Sequence, residues 1–116
     1  MLFAFSIAPA GGGSDSVGDV VAEAVRVVRA SGLPHETTSM FTTIESATWD
    51  EGMAVVKAAV EAVQARAPRV SLVLKADIRP GFDSGQLRAK VERVEEALGG
   101  AGGSAGSGDG SPEASA

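Results

Sequence analysis

Residues 69–81 read Arg69-Val-Ser-Leu-Val-Leu-Lys-Ala-Asp-Ile-Arg-Pro-Gly81, and this stretch indicates the fold better than any other in the chain. Apolar side chains occupy every second position, namely Val70, Leu72, Leu74, Ala76 and Ile78. The positions between them are polar apart from one valine, namely Ser71, Val73, Lys75, Asp77 and Arg79. Because successive side chains of a strand point to opposite faces, this alternation predicts a strand with one core face and one largely polar face. The polar face must be solvated, paired, or used to bind something.

Two other parts of the chain predict the strands that would pair with this one. Phe3, Phe5 and Ile7 alternate with smaller residues, which predicts a first strand with an aromatic core face. Residues 34–46 are rich in threonine around Phe41 and Ile44, which favours two short strands joined tightly. The sheet is therefore expected to have four strands.

Three helices are predicted from capping residues followed by apolar residues at helical spacing. The capping pairs are Ser16 with Asp19, Thr48 with Glu51, and Asp83 with Gln86. The third helix follows a turn at Pro80-Gly81 and carries Leu87, Val91, Val94 and Leu98.

The predicted order is β, α, β, β, α, β with an added C-terminal helix, all within residues 1–98. Two βαβ-type halves of this kind close into one antiparallel sheet, so we expect an α+β protein with a ferredoxin-like βαββαβ sandwich. Both main helices would cover one face and leave the other bare, with Ala4, Ser6, Val73 and Lys75 on it. A bare, half-apolar sheet face favours self-association.

Residues 99–116 differ in kind from the single domain that precedes them. They contain seven glycines together with serine, alanine, Asp109, Pro112 and Glu113, and no large apolar side chain. This composition predicts a flexible Gly/Ser/Ala-rich tail.

Composition argues against several classes of function. The chain of 116 residues has no cysteine, which removes disulfides, thiolate metal sites and cysteine nucleophiles, and its one histidine, His35, cannot form a metal site alone. The net charge of -5 argues against a nucleic-acid partner. Residues 1–8 lack the basic region of a signal peptide and are too few to span a bilayer, so we expect a cytoplasmic protein without a membrane partner.

The glycine-rich segment, residues 9–18, joins the first strand to the first helix, where backbone N–H groups can bind an anion. The spacing of Gly13 and Gly18 matches a phosphate loop, but Asp19 and Val20 stand where lysine and Ser or Thr are required. A phosphate loop is therefore rejected. A flexible turn into a capped helix and a loop that closes over a neutral or cationic ligand both stay open.

Hydroxyl and charged side chains form the second group of candidates. Thr42, Thr43 and Glu45 can together recognise a heterocycle that bears acceptor nitrogens and an amino group, although threonine also simply favours strands. Lys75 and Asp77 lie two residues apart on one strand face, where either cross-strand pairing or ligand contact explains them.

Two ring-bearing residues are weaker candidates. Trp49, at the start of the second helix, can stack on a ligand ring, and packing against the core explains it as well. His35 is more often a surface or packing residue than a catalyst, and an enzyme acting through it would lose activity in His35→Ala. No serine lies in a nucleophile elbow, so hydrolysis is not expected.

Several short segments carry a resemblance to a known family. They are Phe5-Ser-Ile-x-Pro9 with its glycine-serine loop, Ser31-Gly-Leu33, Thr42-Thr-Ile-Glu45, Trp49-Asp50, Arg69-Val-Ser71 and Lys75-x-Asp-Ile-Arg79. In order and spacing they resemble the small YkoF-like thiamine-binding proteins, over residues 1–98. The resemblance implies a ferredoxin-like fold, assembly into dimers or tetramers through sheet faces, and non-catalytic binding of thiamine or its hydroxymethylpyrimidine part as a ligand, with no cofactor. Some relatives carry two such units, which leaves open whether a complete pocket requires a partner subunit.

The residue chemistry is compatible with this resemblance. Thiamine has a cationic thiazolium, which suits an acidic protein, and an aminopyrimidine that needs an acceptor for its amino group and donors for its ring nitrogens. The expected ligand-binding residues are Ser6, Thr42, Thr43, Glu45, Lys75 and Asp77. A regulatory or assembly module that binds another small molecule is the alternative, and a thermal-shift screen of thiamine against amino acids and nucleotides distinguishes the two.

Overall fold

The computed structural model describes residues 1–11, 16–82 and 84–102. The elements in chain order are β1 Leu2–Ala10, α1 Val17–Ala30, β2 His35–Thr37, β3 Thr42–Glu45, α2 Trp49–Gln64, β4 Arg69–Asp77 and α3 Gln86–Gly102. This is the order predicted from the sequence, and the α+β ferredoxin-like fold is confirmed.

The four strands form one antiparallel sheet in the order β2-β3-β1-β4. β4 pairs with β1 along its whole length, from Leu2 to Ala10. β3 is shorter and pairs with β1 only from Leu2 to Phe5. Among the described residues, the edge of β1 beyond Phe5 therefore has no strand neighbour on the side of β3.

One face of the sheet packs against α1 and α2. Phe3 and Phe5 of β1 are buried there, and Ile44 lies opposite Phe3. The helices contribute Val20, Ala24, Val28, Val56, Ala59 and Val63 to the same core. The predicted aromatic core face of the first strand is confirmed.

Local signals in the sequence begin the first two helices as expected. The Ser16 hydroxyl accepts a hydrogen bond from the Asp19 N–H, and the Thr48 hydroxyl accepts one from the Glu51 N–H, each at 3.1 Å. These two side chains satisfy backbone donors that a helix start leaves unpaired. Asp83, the predicted cap of the third helix, lies outside the described residues.

Gly52 is the point of closest approach between α2 and β1. It is buried, and a Cβ atom added there would collide with the ring of Phe3. Trp49, one turn earlier, packs on the same ring with centroids 5.7 Å apart and remains 47% exposed. Packing against the core was one of the two interpretations of Trp49 in the sequence, whereas the need for glycine at position 52 was not predicted.

The opposite face of the sheet, here called the open face, is partly covered by α3. The expectation that this face is bare is therefore wrong at one end. Ala4 and Ser6 are half-buried, whereas Lys75 is exposed and Val73 is 56% exposed. The cause is a set of polar contacts between the start of α3 and the strands, which the next section describes.

No helix among residues 1–11, 16–82 and 84–102 is both long enough and apolar enough to cross a membrane. The cytoplasmic location stays a prediction. Residues 99–102 belong to α3, so the tail that was predicted to start at residue 99 stays a prediction only for residues 103–116, which lie outside the described part of the chain.

Candidate functional site

By strand register, five of the six predicted site residues lie on the open face of the sheet, namely Ser6 and four residues that form two rows. The four are Thr43, Glu45, Lys75 and Asp77. The strand register aligns them in two rows, each with one residue from β3 and one from β4 flanking a residue of β1. The β1 residue is Ala4 in the first row and Leu2 in the second.

Thr42 lies on the other face, so the structure separates it from those four. It is opposite Phe5 of β1 and Thr37 of β2, and its hydroxyl oxygen is 3.3 Å from that of Thr37. Ser6 lies opposite Val73, one position past the end of the pairing with β3. It also lines a cavity next to Thr42.

On the open face, the carboxylates are already engaged by α3. Glu45 is 3% exposed, and its carboxylate accepts a hydrogen bond of 3.0 Å from the Gln86 N–H, the first residue of α3. A carboxylate at a helix start is favoured by the unpaired N–H groups and by the helix dipole. Glu45 is therefore a structural anchor for α3.

Two further pairs hold α3 to the outer strands. Lys90 donates a hydrogen bond of 3.0 Å to Asp77 of β4, and Arg88 lies 4.0 Å from Glu36 of β2. The hydrogen bond from Lys90, and then its positive charge, lower the pKa of the Asp77 carboxyl below its usual value of 3.8. Glu45 and Asp77, predicted as acceptors for a ligand, both have partners within the chain.

A cavity of about 220 Å³ lies on the other side of β1, between the sheet, α1 and the loop that joins β2 to β3. That loop, residues 38–41, is called the hairpin loop below. Phe5 and Ile7 of β1 and Val21 and Val25 of α1 give the cavity apolar walls.

Hydroxyl groups line another part of the cavity, where β2, the hairpin loop and β3 follow one another. They belong to Thr37, Thr38, Ser39 and Thr42. None of the thirteen described residues that line the cavity carries a charge. A lining of this kind is chemically suited to a neutral group with an apolar body and a few polar atoms.

Thr38 organises the hairpin loop. Its N–H donates to the Phe41 carbonyl at 2.9 Å, and its hydroxyl accepts from the N–H groups of Met40 and Phe41 at 3.3 Å each. These bonds close a tight turn and present Met40 and Phe41 to the cavity. The sequence predicted a tight connection here but not the cavity beside it.

The remaining sequence candidates lie away from the cavity. The Nδ1 atom of His35 is 2.9 Å from the Leu33 carbonyl oxygen, and neither His35 nor Trp49 is among the lining residues. Residues 12–15 of the glycine-rich segment lie outside the described residues, so its interpretation as a ligand loop stays open. No group of three or more His, Asp or Glu within the described ranges could hold a metal ion.

The fold and the cavity together define a small α+β domain of the ferredoxin-like class with a neutral pocket beside its central strand. The sequence profile of a family described as thiamine-binding protein matches residues 3–95, and the chain belongs to that family.

Individual relatives support the same assignment. The chain is 57% identical over 98 residues to UPF0045 protein Mb1933 of Mycobacterium bovis, which covers 84% of this chain and 94% of the relative. It is 42% identical over 94 residues to a UPF0045 protein of Methanothermobacter thermautotrophicus, with coverages of 80% and 94%. The solved structure of a domain of unknown function, DUF77, from Bacillus cereus superposes with a TM-score of 0.72 at 31% identity, covering 83% of this chain and 90% of that one.

Proposed function

We propose that this protein binds thiamine, or the hydroxymethylpyrimidine part of thiamine, in the cavity beside β1 and catalyses no reaction on it. The observation that carries the proposal is a neutral cavity of about 220 Å³, lined by apolar walls and hydroxyl groups, in a member of a family described as thiamine-binding. Non-catalytic binding agrees with that description of the family.

The size of the cavity favours binding of one ring of thiamine inside it, and not of both rings. Pockets for drug-sized ligands usually measure roughly 300–1,000 Å³, and this cavity is smaller. In the proposed complex the pyrimidine ring enters the cavity between Phe5 and Val25, and the thiazolium ring remains at the mouth. The cation thus stays near water, where its hydration is retained.

The polar atoms along the cavity complement an aminopyrimidine. Thr37 and Thr42 are within hydrogen-bond distance of each other, so one hydroxyl donates to the other and a single O–H remains to donate to a ring nitrogen. Ser6 and Ile7 lie on the edge of β1 that β3 leaves unpaired. A strand edge offers C=O groups that accept from an amino group and N–H groups that donate to a ring nitrogen.

Titration calorimetry with thiamine and with hydroxymethylpyrimidine tests the proposal. Both compounds are expected to bind to one site per chain, and a thermal-shift assay should show the melting temperature rising with the concentration of either. The absence of both heat and thermal shift, with either compound at millimolar concentration, would refute the proposed function.

Self-association through the open face is a second part of the proposal. Val73 is 56% exposed on that face, and α3 adds Val94 at 57% and Leu98 at 69%. In a twofold dimer each apolar patch meets its own copy, which suits a patch of this composition. Sedimentation at several protein concentrations is expected to show a dimer or larger species that Val73→Lys dissociates, and a wild-type monomer throughout would contradict this part.

An assembly module for a different small molecule is the second candidate function, because the same exposed face would serve it equally. A thermal-shift screen of thiamine, amino acids and nucleotides separates the two functions. A stabilising ligand other than thiamine or its pyrimidine would favour the second.

A further inference from the structure

The direction of the backbone groups of β1 follows from the residue that precedes the strand. The Met1 ammonium donates to the Ser46 carbonyl at 2.9 Å, and the Met1 carbonyl accepts from the Ser46 N–H at 3.0 Å. A residue of an antiparallel strand directs its N–H and its C=O to the same side, and successive residues alternate. The odd-numbered residues of β1 therefore direct both groups toward β3, and the even-numbered residues direct theirs toward β4.

Ile7 is the residue whose backbone groups lack a strand partner on the side of β3. Phe5 and Thr42 form the last pair between β1 and β3, so Ile7 directs its N–H and C=O to a position where the described residues supply no strand. Pro9, the next odd-numbered residue, has no N–H to direct there. This proline is compatible with the full pairing of β1 and β4 because its missing donor faces the unpaired edge.

The cavity reaches this edge of β1. Ser6 lines the cavity although its side chain belongs to the open face by register, so backbone atoms form part of the wall there. A longer β3 would place Met40 opposite Ile7, but Met40 belongs to the hairpin loop, and both residues line the cavity. The cavity thus lies where a continued β3 would pair with Ile7.

We infer that the N–H and C=O of Ile7 recognise the aminopyrimidine, an inference that rests on the proposed function. In the complex the N–H donates to the ring nitrogen next to the amino-bearing carbon, and the C=O accepts from the amino group. This edge of the ring presents an acceptor and a donor side by side, as a residue of a pairing strand does. The ring thus replaces the strand residue that β3 does not supply, and the free hydroxyl of the Thr37 and Thr42 pair donates to the other ring nitrogen.

A peptide strand is a poorer occupant of the same edge. Strand addition derives its affinity from a series of main-chain hydrogen bonds. Within residues 6–10, this edge offers one complete N–H and C=O pair, at Ile7, and the Pro9 carbonyl. One bidentate contact beside a small cavity suits a heterocycle.

Calorimetry on two variants of Ile7 tests the inference. Ile7→Pro removes the N–H, whereas Ile7→Ala shortens the side chain and keeps the N–H. Hydroxymethylpyrimidine is expected to bind to the proline variant at least about tenfold more weakly than to the alanine variant, because a ring nitrogen loses its donor. Equal affinities would overturn the inference and leave the proposed function standing, whereas no binding to the wild type would refute the proposed function itself.

Thermal unfolding without ligand tests the direction of the Ile7 backbone independently. Ser6, an even-numbered residue, directs its N–H to Val73 of β4, so Ser6→Pro removes a hydrogen bond between strands and Ile7→Pro removes none. Ser6→Pro should melt at least about 5 °C below Ile7→Pro. An Ile7→Pro variant that melts at the same temperature as Ser6→Pro, or below it, would overturn the inference.

A change in the ligand tests the Ile7 carbonyl in the wild-type protein. The analogue of hydroxymethylpyrimidine in which hydrogen replaces the amino group leaves that carbonyl without a donor. It is expected to bind about tenfold more weakly than hydroxymethylpyrimidine. Equal binding of the two compounds would overturn the inference.

Discussion

The two faces of this sheet differ in how their polar groups are satisfied. On the open face, three carboxylates from three strands meet the start of α3, at Gln86, Arg88 and Lys90. On the other face, the cavity beside β1 has no charge among its described lining residues and presents hydroxyl groups to empty volume. Charged residues whose partners lie within the chain are structural, whereas neutral polar groups around a concavity are available to a ligand.

Thr42 and Thr43 show this contrast between the two faces in a pair of adjacent residues. They are neighbours in β3 and are both half-buried, yet Thr42 faces the cavity and Thr43 faces the side that α3 partly covers. A ligand that contacts Thr42 is bound in the cavity, whereas a ligand that contacts Thr43 is bound on the open face.

The first expected effect concerns the packing on which both faces depend. In Gly52→Ala the new methyl group meets the fully buried Phe3 ring, and overpacking of this kind costs roughly 1–3 kcal/mol. The gain in helix propensity from glycine to alanine is at most about 1 kcal/mol. Because the added Cβ would overlap three atoms of the ring, the upper end of that cost applies, and urea denaturation should show a net loss of about 2 kcal/mol in the free energy of unfolding.

Gly18→Ala is the matched control for that prediction. Gly18 lies in the first turn of α1, and a Cβ added there meets nothing within 4 Å. This variant should be neutral or more stable by up to about 1 kcal/mol. Equal effects of the two substitutions would show that helix propensity, and not the Phe3 contact, governs position 52.

The next prediction tests whether the Glu45 carboxylate holds α3 in place or contacts the bound ligand. Glu45→Ala leaves the Gln86 N–H without its acceptor, and the loss of a hydrogen bond to a charged group costs about 1.5–3 kcal/mol. We expect lower stability and faster hydrogen exchange in α3, with affinity for hydroxymethylpyrimidine unchanged within about twofold. A large loss of affinity in a variant that keeps its α3 contacts, such as Glu45→Gln, would instead support the site predicted on the open face.

A smaller effect separates the two threonines. Thr42→Val removes one hydroxyl from the cavity at nearly constant volume, and a hydrogen bond contributes about 1 kcal/mol, so affinity for hydroxymethylpyrimidine should fall about fivefold. Thr43→Val makes the same chemical change on the other face and should leave affinity unaltered. Calorimetry on both variants measures the difference, and the reverse pattern would move the site to the open face.

The smallest expected effect is a pH dependence of the folding stability that arises from titration of the Asp77 carboxyl. Because its pKa is lowered in the folded protein, the pair with Lys90 contributes stability above the ordinary carboxyl pKa. That contribution is lost as the pH falls through the lowered pKa. The stability difference between wild type and Asp77→Asn should thus shrink on acidification below about pH 4. Lys90→Gln removes the same pair and should remove most of that dependence, and a difference independent of pH would contradict the role of the pair.

Much of the fold could be predicted from local sequence. The caps at Ser16 and Thr48 act within three residues, and the strands show their two-residue period in the sequence itself. The same two-residue period places the adjacent residues Thr42 and Thr43 on opposite faces of the sheet, as the structure shows.

The candidate site could be predicted only in part. Thr42 and Ser6 are among the residues that line the cavity, although the strand register places Ser6 on the open face together with Thr43, Glu45, Lys75 and Asp77. Their contact with a ligand stays a prediction. The cavity exists because β3 stops pairing at Phe5 while β1 continues to Ala10. No local sequence pattern predicts that two strands that pair in the sheet but are distant in sequence differ in length.

By itself, the sequence determined which segments are strands and helices, which face of each is apolar, and the absence of cysteine chemistry. These properties depend on residue type and on neighbours within a few positions. Only the tertiary structure decided that the Glu45 carboxylate is used by Gln86, 41 residues away, and that an uncharged cavity remains beside β1. The partner of a charged side chain and the position of a cavity both depend on contacts between segments that are distant in sequence. A charge is available for binding a ligand only when no other part of the chain neutralises it.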